Sequence, residues 1–162
     1  MKLTLSNIIS ILPLFFYGSE LVIITNKLIK QMDPTINIKY FYGLVVSTHL
    51  AQAFKYLIPY PKWTYGYTMR PEGATDCDYL SCGGQVKPNS PGMPSGHMTT
   101  TSYFVIYNIL YIIKNNYNKM LIVGNIMLLI FMGWARITKK CHNLSQVIAG
   151  TLLGSLMGAL FF

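Results

Sequence analysis

Charged residues are scarce in this chain. They make up 11% of the 162 residues, against about 25% in a soluble domain. Hydrophobic residues make up 52% and mean hydropathy is +0.37, so the composition points to a membrane and away from a soluble fold. No stretch alternates polar and apolar residues over a useful strand length, and no segment repeats, which excludes sheet-based and repeat architectures. Cysteine is sparse as well: Cys77, Cys82 and Cys141 supply one close pair and no matching second pair, which excludes a structural zinc site.

Long apolar runs fill the space these absences leave. Judged against roughly 20 apolar residues per crossing, five stretches qualify: Leu3–Asn26, Tyr40–Ile58, Met98–Ile113, Met120–Ala135 and Leu144–Phe162. The expectation is an all-α, polytopic membrane bundle of about five transmembrane helices, forming a single domain over residues 1–162. The count is four if the first run, with Lys2 before it and Gly18-Ser19 after its apolar stretch, is a cleaved signal peptide. The third and fourth runs are short and continue through their flanks, so His97 starts one helix and Arg136 ends another. Pro59 and Pro61 end the second helix, because proline lacks the backbone donor and disfavours helix before it.

Alternation of five helices puts the Gly- and Pro-rich loop 59–97, the link 135–143 and the N-terminus on one face. The turns at 27–39 and 114–119 fall on the other. Outside the site candidates, Lys2, Lys87, Lys139 and Lys140 on the first face balance Lys27, Lys30, Lys39, Lys114 and Lys119 on the second, so the positive-inside rule leaves orientation open. Cys77 and Cys82 can close a small disulfide in an oxidising lumen or stay free thiols in cytosol, with Cys141 as packing. The sequon at Asn143 adjoins His142 at a helix start, where a glycan has no room. In the last helix Gly150, Gly154 and Gly158 recur every four residues, the spacing that lets membrane helices approach closely. His142 and Gln146 extend that row backwards, so Gln146 is expected to face the interior beside His142.

Three polar clusters carry chemistry. Pro94-Ser95-Gly96-His97 makes a sharp entry to a helix, whose free N–H groups favour an anion. Arg136-x5-His142 adds a second histidine and a guanidinium, and Arg70-Pro71 with Lys62 adds two cations on the same face. One histidine can attack phosphorus, the other can protonate the leaving oxygen, and arginine forks match phosphate oxygens. Several of the charges behind the net +8 therefore stand where a phosphate would sit. The basicity suits acidic lipid headgroups or a phosphorylated substrate, and not nucleic acid.

These residues resemble the type 2 phosphatidic acid phosphatase (PAP2) superfamily, whose motifs are Lys-x6-Arg-Pro, Pro-Ser-Gly-His and Ser-Arg-x5-His-x3-Asp. Here they read Lys62-x7-Arg70-Pro71, Pro94-Ser95-Gly96-His97 and Ala135-Arg136-x5-His142-x3-Gln146. The resemblance implies His142 as nucleophile, His97 as general acid, and Lys62, Arg70, Ser95, Gly96 and Arg136 as the phosphate cradle. It implies no metal and no cofactor, with a membrane lipid phosphate as partner. Three departures stand out: Lys62 is a residue too far from Arg70, Ala135 replaces a serine, and Gln146 replaces an aspartate. Gln146 can still accept from His142 Nδ1–H but offers no charge. His-x3-Gln-Val and Gly92-Met93 resemble the dolichyl-diphosphatase branch, which implies a polyisoprenyl diphosphate substrate in an endomembrane such as the endoplasmic reticulum. The alternatives are a broad phosphatidate or lipid-phosphate phosphatase and a catalytically silent lipid-phosphate binder. Glu20, His49 and Lys55 are ionisable residues within spans; Lys55 can snorkel to the interface, and all three are read as outside the site.

Overall fold

A computed structural model describes residues 4–74, 77 and 90–162. Among them the chain is all-α, with six α-helices: α1 (Leu5–Ile29), α2 (Thr35–Leu57), α3 (Tyr65–Thr68), α4 (Gly96–Lys114), α5 (Met120–Thr138) and α6 (Leu144–Leu160). A 3₁₀ turn, Lys62–Thr64, runs directly into α3, so the Gly- and Pro-rich loop carries two short helical pieces. The long helices follow the apolar runs; α1, α2, α4 and α5 extend into polar flanks, whereas α6 stays within its run.

α4 lies at the centre, buried on every side from Gly96 to Tyr103, with α1, α2, α5 and α6 packed around it. The glycine row explains its contact with α6. A Cβ at position 150 would stand 2.5 Å from the Ser95 carbonyl oxygen and one at 158 would stand 2.8 Å from that of Tyr103, with Thr99 O closer still to position 154. The partners Ser95, Thr99 and Tyr103 also recur every four residues, so α6 runs parallel to α4 with backbone against backbone. α2 runs antiparallel to α4: Thr48 Oγ1 lies 2.9 Å from Thr100 Oγ1, and a turn higher Gln52 Nε2 lies 3.5 Å from where a Gly96 Cβ would be.

The ends group as alternating helices require. Arg136 on α5 reaches Ser10 on α1, and Cys77 joins Cys141. At the opposite end Lys39 Nζ donates to Phe162 O and Lys114 stands over the Phe162 ring. An aromatic core of Phe16, Tyr40, Leu44, Tyr103, Tyr107 and Met157 fills that far half. A smaller core of Ile9, Met98, Met132, Ala135 and Val147 underlies the motif end.

The outer faces are apolar: Leu144, Ile148, Leu152 and Leu156 on α6 and Val123, Ile126, Ile130 and Phe131 on α5 are exposed, as lipid-facing surfaces are. By length and hydropathy two helices qualify to cross a membrane, α1 and α5, each with only 22% of its apolar window buried. The apolar runs alone predict five. α2 and α4 carry inward polar side chains such as Thr48, Lys55, Thr99 and Ser102 that lower their hydropathy, and α6 is a shorter apolar helix.

Candidate active site

Ser95 is the N-cap residue of α4, its N–H donating to Gln146 O at 3.1 Å. Its carbonyl accepts from Thr99 N (2.9 Å) and Thr99 Oγ1 (3.0 Å). The Ser95 hydroxyl is fully buried and makes no hydrogen bond among the described residues, an orphan donor at a helix N-terminus where an anion is favoured. His97 sits in the first turn of α4 and is buried.

Arg136 occupies the last turn of α5 with no exposed surface. A buried guanidinium needs its donors satisfied; Nη1 donates to Ser10 Oγ at 2.9 Å and Nη2 to the Cys77 carbonyl at 2.7 Å. Beyond it the chain turns back tightly, Cys141 N and His142 N both donating to Arg136 O. This delivers His142, 2% exposed, to the entrance of α6. There Asn143 caps the helix reciprocally with Gln146: Asn143 Oδ1 accepts from Gln146 N at 3.0 Å, and Asn143 N donates to Gln146 Oε1 at 3.4 Å.

Gln146 also decides the chemistry of His142. Its Nε2 donates to the carbonyls of Tyr67 (2.9 Å) and Met69 (2.6 Å). With both amide hydrogens committed, Oε1 faces His142 Nδ1 at 3.0 Å. An amide oxygen only accepts, so His142 must carry its proton on Nδ1 and keep the Nε2 lone pair free. The amide sits so close to the turn that a Cβ at position 92 would stand 2.6 Å from Oε1, which is why Gly92 occupies it. Burial pushes the proton affinity of His142 well below that of an ordinary histidine. The charges of Arg70, Arg136 and Lys55 push it the same way, against a smaller opposing effect of the Gln146 hydrogen bond. A neutral imidazole with Nε2 available is the form that can attack phosphorus.

Arg70 enters from the loop. An antiparallel bridge pairs Met69 with Pro91, Arg70 N donates to Ser90 O, and Arg70 Nη1 donates to the Cys141 carbonyl at 3.3 Å. The disulfide lies in the same layer. Cys77 pairs with Cys141, with Cα atoms 5.3 Å apart. This corrects the reading of Cys141 as packing and gives Cys77 a partner other than Cys82, the one that the sequence left open. Folding lays the loop over the end of α5, which spacing along the chain does not reveal; Cys82 itself lies outside the described residues. Each bridged cysteine thus offers its carbonyl to a different arginine.

The structure brings together His97, His142, Gln146, Ser95, Gly96, Arg70 and Arg136. Lys62 does not join them: it stands exposed on the 3₁₀ turn. Lys55, read from sequence as an interfacial residue, is 4% exposed on the last turn of α2, and its charge acts on His142. Sequence reasoning also misses Ser10, and nothing in its local sequence signals it, since only the fold sets it against Arg136.

Comparison with known proteins agrees with this arrangement. A stretch of 78 residues, 46% of this chain, is 28% identical to lipid phosphate phosphatase epsilon 2, chloroplastic, of Arabidopsis thaliana. That stretch covers 27% of the plant protein, so the chain spans about a quarter of the length of the curated relative it matches. No solved structure matches the chain. Residues 38–162 match the model of the PAP2 superfamily; they take in most of α2, all of α3 to α6 and every residue gathered at the site except Ser10. The chain therefore belongs to the PAP2 superfamily.

Proposed function

We propose that the chain is an integral membrane lipid phosphatase, its five long helices crossing the bilayer, that cleaves a polyisoprenyl (dolichyl) diphosphate or a related lipid phosphate in an endomembrane. The observation that carries the reading is the Gln146 amide, which fixes the proton of buried His142 on Nδ1 and leaves Nε2 as nucleophile. In the first half of the cycle the Nε2 lone pair forms a bond to phosphorus as the bond from phosphorus to the leaving oxygen breaks. His97 transfers a proton to that oxygen, and the negative charge of the arriving phosphate favours the proton that His97 must carry. In the second half His97 takes a proton from water, whose oxygen attacks phosphorus and releases His142.

Arg70 and Arg136 with the Ser95 hydroxyl and the Gly96 amide would hold the equatorial oxygens, donors already oriented by the fold before charge develops. The imidazolium character that grows on His142 meets an amide dipole instead of a carboxylate. That suits a good leaving group such as a lipid monophosphate, which supports the diphosphate as substrate. The name of the plant relative favours a second reading, a broader lipid-phosphate phosphatase.

Phosphate release from dolichyl diphosphate and from phosphatidate, measured on detergent-purified protein with EDTA throughout, tests both. Release is expected to survive EDTA, to favour the diphosphate, and to fall by about 10⁴-fold or more in His142→Ala and about 10²–10⁴-fold in His97→Ala. No release from either substrate by folded protein refutes the proposal.

A further inference from the structure

Spacing along the chain does not identify the lysine of this site, because neither Lys62 nor Lys55 meets the six-residue interval before Arg70-Pro71. Packing does. α2 and α4 run antiparallel in a register fixed at two levels, Thr48 against Thr100 and Gln52 against Gly96. One turn further up α2 is one turn further back before α4, so Lys55, on the same face a turn after Gln52, comes level with the 92–95 turn. That turn holds the Ser95 hydroxyl, which is fully buried and makes no hydrogen bond among the described residues. Lys55 is 4% exposed, so its side chain is held within the protein and does not stand in solvent. Its charge is felt at both His97 and His142.

Lys62 follows Pro61, which with Pro59 breaks the line of α2, and its side chain stands in the open on the 3₁₀ turn. An exposed lysine at a loop surface is ordinarily a solvated charge of small energetic weight. Reading the sequence alone reverses these roles. It matches the lysine nearer Arg70 to the motif and lets the lysine inside a helix snorkel to the interface.

We propose that Lys55, and not Lys62, is the lysine that grips the substrate phosphate, acting from the end of α2 opposite Ser95 and the Gly96 amide. Three cations then enclose the phosphoryl group from three elements: Lys55 from α2, Arg70 from the loop and Arg136 from α5. Lysine contributes a mobile point charge where the arginines contribute planar forks. The inference rests on the phosphate chemistry proposed for this site.

Titrating inorganic phosphate into the full chain in detergent, by calorimetry, tests it without requiring turnover. Lys55→Met is expected to weaken phosphate binding at least about tenfold, Lys55→Arg to restore part of the loss, and Lys62→Met to change affinity by less than about twofold. Thermal unfolding of each variant reports folding, and Lys55→Gln is read in the same way should Lys55→Met not fold. Loss of binding in Lys62→Met with none in the Lys55 variants overturns the assignment, as does absence of phosphate binding by the unmodified chain. Phosphate release from the two lipids separates this result from the broader reading. Turnover with unchanged phosphate affinity in the Lys55 variants refutes the lysine alone. Phosphate binding that depends on Lys55, with no turnover of either lipid, leaves the lysine standing and refutes the enzyme.

Discussion

In the proposed mechanism His97 and Arg70 meet the same phosphate, yet the protein holds them by different means. His97 rides on α4, whose backbone touches that of α6 at three successive turns where Gly150, Gly154 and Gly158 leave no side chain between them. Arg70 rides on a loop strapped to that frame at separate points. Gln146 grips the carbonyls of Tyr67 and Met69, Asn143 Nδ2 grips those of Gly66 and Tyr67, and the Cys77–Cys141 bridge closes the far side. The frame is set by shape and the strap by hydrogen bonds and one covalent link. Breaking the first should remove the fold, whereas breaking the second should spare the fold and remove the chemistry.

The largest effect is expected where the frame has no slack. Gly154→Leu forces a side chain onto the Thr99 carbonyl, an overpacking of backbone that no rotamer relieves, at a cost of about 3 kcal/mol or more. It should abolish or sharply lower the thermal unfolding midpoint, with activity lost only because the fold is lost. Gly124 on α5 faces open space, with nothing within 4 Å of where a Cβ would stand, so Gly124→Leu should unfold like the unmodified chain. Equal behaviour of the two would show that the α4–α6 contact is not the rigid half.

The strap is best cut at Gln146. Glutamate has the same length but no amide hydrogens, so Gln146→Glu turns two donors toward Tyr67 O and Met69 O into acceptors and sets oxygen against oxygen. It also removes the reason for Oε1 to face His142. A fall in kcat of about 10²–10³-fold is expected, comparable to losing one oriented hydrogen-bonding group of an active site, with an unfolding midpoint far closer to the unmodified chain than that of Gly154→Leu. A rise in turnover would mean that the missing carboxylate was a handicap, and would remove the main support for a diphosphate substrate.

The same division decides what the sequence disclosed. Pro94–His97, Arg136 and His142 were legible because a helix converts spacing into geometry: residues four apart share a face, and the glycine row extended backwards places Gln146 inside beside His142. On the loop that conversion fails. Lys62 is near Arg70 in sequence and exposed in space, Cys77 is near Cys82 in sequence and bonded to Cys141, and Lys55 is distant from Arg70 in sequence and buried at the end of α2. The second role of Gln146, holding the backbone just before Arg70, was invisible for the same reason, since its partners lie on the loop. Hydropathy follows the same logic, because inward polar residues such as Thr48, Thr99 and Ser102 lower that of α2 and α4, and two helices pass the length and hydropathy test where the apolar runs alone predict five.

The smallest expected effect tests whether the strap reaches the frame electrostatically as well as mechanically. Burial, then the charge of Arg70, then that of Arg136 and Lys55 hold the proton affinity of His142 below its ordinary value of 6.5. In the unfolded chain the same imidazole takes up a proton as pH falls through about 6.5, while the folded one stays neutral. The unfolded state then binds more protons, and stability falls as pH drops from 6.5 toward the folded value. Arg70→Gln removes the first of the charges, so the folded value rises toward 6.5. The acid limb of the residual kcat/KM should move to higher pH, and the drop in unfolding midpoint between pH 7.5 and pH 5.5 should become smaller. Catalysis and stability should shift in the same direction, because the imidazole that attacks phosphorus also contributes to the loss of stability in acid. An acid limb that stays in place, or moves to lower pH, would leave Arg70 as a phosphate contact that the loop merely carries, with no electrostatic influence on the nucleophile.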